Sequence, residues 1–98
     1  MRILWSERAR TQVREIFQYI AQDRPMAADG ILEGFLERVD LLAEFPDQGL
    51  AWGDPRRSDL RYIFFESYRL VYRVSPGELA VLSVRHTRML PEDPPSDV

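Results

Sequence analysis

The chain has 98 residues, 45% of them apolar, with 16 acids against 13 bases, one histidine and no cysteine, and every base is an arginine. This inventory excludes Schiff-base and P-loop lysines, cysteine nucleophiles, disulfides and cysteine zinc sites; a lone His86 cannot build a multi-histidine metal centre, so neither metal nor cofactor is expected. The length fits one domain around one core, and with no run near the roughly 20 apolar residues of a membrane span and no signal-peptide core, a cytoplasmic protein without membrane contact is expected.

RILW at residues 2–5 has the composition of a short strand. Ser6 then suits a helix N-cap, and Glu7 suits the positive end of the helix. Ala9, Val13, Ile16, Phe17 and Ile20 form one apolar stripe at helical spacing, with Arg8, Arg10, Gln12, Arg14, Glu15 and Gln18 on the wet side. Pro25 stops this helix near Asp23 and opens a second one, striped by Ala28, Ile31, Leu32, Phe35, Val39 and Leu42. Gly30 and Gly34 weaken the second helix by about 1 kcal/mol each relative to alanine and point to a close approach of the first helix. FPDQG at 45–49 ends it, leaving an antiparallel helix hairpin.

Residues 46–58 are rich in turn formers and are expected to form a loop. The periodicity then changes from helical to alternating. LRYIFF, YRLVYRV and LAVLSVRH, at 60–65, 68–74 and 79–86, form a three-stranded antiparallel meander separated by short turns. The final PEDPPSDV is acidic, proline-rich and almost without apolar residues, so residues 91–98 are expected to be a disordered tail on a single domain spanning 1–90. The fold class is α+β: an N-terminal strand and a helix hairpin packed on a three- to four-stranded antiparallel sheet.

Strict alternation puts Leu60, Tyr62, Phe64, Leu70, Tyr72, Val74, Ala80, Leu82 and Val84 on the face that the hairpin covers. The other face carries Arg61, Ile63, Phe65, Arg69, Val71, Arg73, Val81, Ser83 and Arg85. Charge sharpens this division. Residues 51–90 hold seven arginines and four acids, a +3 block between two flanks of −3 each. Arginines on a partly apolar ground suit an acidic or phosphorylated partner; the same pattern also describes a solvated face of cross-strand ion pairs. His86, at a strand end, is either a hydrogen-bonded structural residue or a general acid–base group. Trp5 and Trp52 suit packing anchors.

The stretches WSERARTQVREIFQYI, the Pro25…Ala28 helix start, LLAEFPDQG, LRYIFFESYRLVYRV and VLSVRHTRM, in that order over roughly residues 2–90, resemble the RelE/ParE superfamily of toxins from type II toxin–antitoxin pairs. The resemblance implies the same α+β fold and one of two targets. RelE-type members are ribosome-dependent mRNA endoribonucleases; Arg61, Arg69 and His86 match positions that such enzymes use, and Asp54 sits where some have a glutamate. The lysines of the lysine-dependent members have no counterpart here, and no tyrosine follows His86. ParE-type members inhibit DNA gyrase, and the RHTRM stretch at 85–89 is similar to that branch. The leading expectation is therefore a ParE-like gyrase inhibitor without catalytic residues, neutralised by a cognate antitoxin. Arg61, Arg69, Val71, Arg73 and Arg85 would contact the antitoxin, and Arg88 and Met89 the target. The alternatives are a RelE-type endoribonuclease, or an inactive member that retains antitoxin binding. No motif for sequence-specific DNA reading by this chain is present.

Overall fold

Ser6 both ends the first strand and starts the first helix. Its Oγ accepts the Ala9 amide at 3.0 Å and donates to the Leu82 carbonyl at 3.1 Å, so one side chain caps the helix and ties it to the sheet. The computed structural model describes residues 1–95, as β1 (Arg2–Trp5), α1 (Glu7–Ala21), α2 (Pro25–Glu44), β2 (Leu50–Ala51), β3 (Leu60–Phe65), β4 (Tyr68–Ser75) and β5 (Glu78–His86), with three short 3₁₀ turns. The helix hairpin and the β3–β5 meander occur where the sequence periodicity places them. Within the expected 46–58 loop, Leu50–Ala51 pairs with Arg61 and Tyr62. The sheet thus has five strands in the order β1-β5-β4-β3-β2, with β1 parallel to β5 and the other pairs antiparallel.

The two faces of this sheet differ from the strict-alternation expectation. The Glu66-Ser67 turn pairs Phe65 with Tyr68, so an odd position of β3 shares a face with an even position of β4. Ile63 and Phe65 therefore join Leu70, Tyr72 and Val74 beneath the helices. Tyr62 and Phe64 lie opposite Val71 and Arg69 on the far face, where Leu60 is also buried. In β5 a bulge adds a second change. Val71 pairs with Ser83 and Tyr72 with Val81, which leaves Leu82 as the extra residue. Leu79, Val81 and Val84 consequently face the helices, and Ala80 and Leu82 do not.

Backbone groups near this bulge are satisfied from α1 rather than from the ladder. Gln12 Oε1 accepts the Val84 amide at 2.8 Å, and Ser6 takes the Leu82 carbonyl. Gln12 is therefore half-buried and structural, not on the wet side of its helix. The core beneath the hairpin is built from Ala9, Val13, Phe35, Val39 and Leu42 against Leu70, Tyr72, Leu79, Val81 and Val84. Phe35 sets its edge on Phe65 at 5.3 Å and on Tyr68 at 5.6 Å between ring centroids. Gly34 is the other half of this contact: the Phe65 ring occupies the space that a Cβ would take, so this glycine admits a strand residue rather than α1. Gly30 faces open space. Gly49 is buried over Tyr72, whose hydroxyl accepts the Gly49 amide at 2.9 Å and donates to the Pro46 carbonyl at 2.8 Å. This latch fastens the end of the helix hairpin to the sheet.

Candidate functional site

The face away from the helices is organised by arginine. β4 places Arg69, Val71 and Arg73 there, and β5 adds Ser83 and Arg85. Arg69 and Arg85 are direct cross-strand partners. Like charges in that relation repel, so the pair requires an anion or a large separation of the side chains. Arg69 is held over the Trp52 ring at 5.0 Å and the Tyr62 ring at 5.1 Å, and only 12% of its side chain is exposed. Trp52 itself packs on Leu60, Ala80 and Leu82, and its ring meets Tyr62 edge-on at 6.2 Å. Sequence pattern alone marks Trp52 and Tyr62 as packing residues; their bracketing of an arginine depends on the face change at the Glu66-Ser67 turn.

The anion is supplied by the chain. Glu92 Oε1 lies 3.0 Å from Arg69 Nη2 and accepts from Ser83 Oγ at 3.4 Å, and Oε2 lies 3.5 Å from Arg85 Nη1. Only 4% of the Glu92 side chain is exposed, against 31% for Arg85. Arg85 also donates to the Met89 carbonyl at 3.1 Å, which fixes the turn leading into this segment. Pro95 is fully buried. An acidic, proline-rich run offers no local reason to be seated on a sheet, yet Glu92 fills the space between two arginines and Pro95 is enclosed, while Pro91, Asp93 and Pro94 are exposed. Residues 96–98, the rest of the expected tail, lie outside the described residues.

Of the expected antitoxin-binding set, Arg69, Val71, Arg73 and Arg85 share this face, although Val71 is fully buried. Arg73 pairs with Glu78 at 3.0 Å, and the second oxygen of Glu78 takes Arg2 at 3.2 Å. Arg61 does not join them. It lies opposite Tyr72 on the helix side, donating to the Gly49 carbonyl at 2.9 Å beside the Tyr72 latch.

The four residues matched to ribonuclease positions are likewise not brought together. Arg69 and Arg61 are on opposite faces, and along β4 Arg61 pairs with Tyr72 near the middle of the strand while His86 pairs with Tyr68 at its start. Asp54 caps a 3₁₀ turn, accepting from the Arg56 amide at 2.9 Å and its guanidinium at 3.1–3.2 Å. Those bonds hold its carboxyl below the ordinary carboxylate value, the Arg56 side chain contributing most. His86 is also a cap: its Nδ1 accepts the Arg88 amide at 3.0 Å, and its ring meets Tyr68 edge-on at 5.4 Å. The turn it starts, Thr87–Met89, presents Arg88 and Met89 exposed at the rim of a groove between the helices and the β3–β4 hairpin. Ile16, Tyr19, Ile31 and Phe65 line that groove, and Tyr19 is 75% exposed. Among the described residues no group of three potential metal ligands occurs, and no helix is long and apolar enough to cross a membrane.

Comparison with known proteins assigns this architecture. The family model described as the ParE toxin of the type II toxin–antitoxin system parDE matches residues 3–91. A curated relative, Toxin RelE2 of Caulobacter vibrioides, is 29% identical over 89 residues, covering 90% of this chain and 97% of the relative. A solved structure described as the chromosomal ParDE TA system from P. aeruginosa superposes with a TM-score of 0.73 at 20% identity, over 88% of this chain and 95% of the matched one. At that identity it bears on the fold alone, and the fold agrees. The family match runs from β1 through the arginine face to the start of the acidic segment, and the chain therefore belongs to the ParE toxin family of type II toxin–antitoxin systems.

Proposed function

We propose that this toxin inhibits DNA gyrase and is neutralised by an antitoxin whose acidic segment binds the arginine face. The observation that carries the reading is the ParE-family match across residues 3–91, which includes the RHTRM turn. The geometry supports it in two ways. Arg88 and Met89 stand exposed on a turn braced by His86, as a surface for a macromolecular target requires. The candidates for mRNA cleavage are distributed over two faces and a loop. The RelE name of the curated relative keeps mRNA cleavage as the second reading.

Expression without the antitoxin should arrest growth. DNA breaks and an SOS response would identify gyrase as the target, and new mRNA ends within translated codons would identify the second reading. Normal growth with retained antitoxin binding would mark an inactive binding module. His86 separates the readings further. Because its role here is to accept a backbone amide two residues on, His86→Asn, which preserves such an acceptor, should keep toxicity. A folded His86→Asn chain with no toxicity would overturn the gyrase reading in favour of acid–base cleavage.

A further inference from the structure

Arg69 and Arg85 face each other across adjacent strands with Ser83 beside them, and Glu92 is the anion that makes this arrangement tolerable. Glu92 satisfies the cluster incompletely. It reaches one terminal nitrogen of Arg69, while Arg69 Nε is buried without an acceptor. A carboxylate arriving along the edge of the guanidinium would take Nε and a terminal nitrogen together, the two-bond fork that arginine forms best. The site itself does not depend on the tail. Trp52 and Tyr62 hold Arg69 in place, and the sheet fixes Arg85 and Ser83. The tail, by contrast, is anchored at few points: Glu92 and Pro95 are the enclosed ones, and Pro91, Asp93 and Pro94 are exposed.

We propose that Arg69, Ser83 and Arg85 form a carboxylate-binding site that Glu92 fills in the free chain and yields to an acidic, extended peptide of the antitoxin. Residues 91–95 are then a built-in competitor that lowers the apparent affinity for the partner. The proposal rests on the reading that an antitoxin binds this face. A short tether gives the tail an effective concentration on the order of millimolar, enough to hold the site against a loose peptide and too little to exclude a partner that buries more surface.

The test compares three full-length chains: the natural sequence, Glu92→Gln and Pro95→Ser. Two probes are used, the synthetic peptide LPEDPPSDV and the antitoxin encoded beside the toxin. In an NMR titration kept below about one millimolar peptide, the range in which the tether holds the site, signals from Arg69, Ser83 and Arg85 should move in the Glu92→Gln chain and move much less in the natural one. A peptide with glutamine in place of its glutamate should move neither. The antitoxin should bind both variants about ten-fold more tightly than the natural chain, as expected when a mostly closed site is opened, and raised salt should shrink that gain. Pro95→Ser leaves every charged group in place and carries the comparison if Glu92→Gln fails to fold. A peptide that shifts both chains alike, or neither, overturns the site. Equal antitoxin affinity for all three chains overturns the competition and leaves the antitoxin reading intact. An antitoxin that binds none of them overturns that reading, and the peptide titration still decides the carboxylate site.

Discussion

The same three strands present two faces that are closed by different physics. Beneath the helices, Leu70, Tyr72, Val81 and Val84 meet Phe35, Val39 and Leu42, and the contact is apolar and fully enclosed. On the other face Arg69 and Arg85 share Glu92, Arg73 pairs with Glu78, and Trp52 and Tyr62 steady Arg69. Hydrophobic burial has no specific partner to exchange and is hardly weakened by salt, whereas an ion pair can hand its cation to another anion. The helix face is thus suited to holding the fold, and the arginine face to changing occupants.

The largest expected effect lies on the first face. Phe35 is 1% exposed and edge-packed on two rings, so Phe35→Ala should cost about 3–5 kcal/mol. For a domain this small that is a large part of the stability. Denaturant unfolding would measure it, and a loss below about 1 kcal/mol would show that the helix face is not the one holding the fold.

Gly49→Ala comes next. A Cβ at Gly49 would collide with the Tyr72 ring and hydroxyl and with the Tyr62 carbonyl, none of them a free chain end. Overpacking of this kind costs about 1–3 kcal/mol. The Tyr72→Phe background sharpens the point, because it removes the hydroxyl that the new methyl strikes. If steric conflict is the cause, the added cost of Gly49→Ala should fall in that background, as a double-mutant cycle would measure.

How far these faces can be read from the sequence depends on distance along the chain. Helix and strand limits follow from local signals, such as the Ser6 cap, the Pro25 start and the change from period 3.6 to period two after Leu60. Which face each strand turns inward does not, because it is set by pairing. The turn that joins Phe65 to Tyr68 inverts β3, and the extra Leu82 inverts half of β5. Strict alternation therefore places β4 and Val84 correctly and misplaces Leu60, Tyr62, Phe64, Ala80 and Leu82. It groups Arg61 with the other arginines for the same reason. The position of Glu92 is further out of reach, since its ordering depends on two arginines that become neighbours only once β4 and β5 pair. The one available hint is compositional, an acidic run next to a cationic block.

A smaller effect is expected from the arginine face. Arg69→Met and Glu92→Leu should each destabilise, because each leaves an opposite charge buried with one partner fewer. Together they should cost less than the sum of the two, by about 1 kcal/mol, because the double change removes both members of one pair. Strict additivity would mean that Glu92 and Arg69 are adjacent without coupling, and the contrast between the faces would lose its basis. Repeating the cycle at high salt should reduce the coupling, while the cost of Phe35→Ala stays nearly constant.

The smallest effect belongs to the loop beyond both faces, where Asp54 accepts from the Arg56 side chain and amide. These bonds lower its pKa from the ordinary 3.8, and the Arg57 bond does the same for Asp59. A carboxylate whose folded pKa is depressed adds stability above its unfolded pKa and loses it as pH falls through the folded one. The natural chain and Asp54→Asn should therefore melt with a constant offset near neutrality, and that offset should change only below about pH 4. The amide side chain of the variant would keep an oxygen for the Arg56 backbone N–H and lose the charge for its guanidinium, so the offset reports the ion pair rather than the cap. Because Arg56 is 88% exposed, the offset should be small and should shrink further in salt. A pH-dependent difference centred near neutrality instead would mean that Asp54 is coupled to a group that titrates there, which no arginine does, and the Arg56 ion pair would not be the origin of the offset.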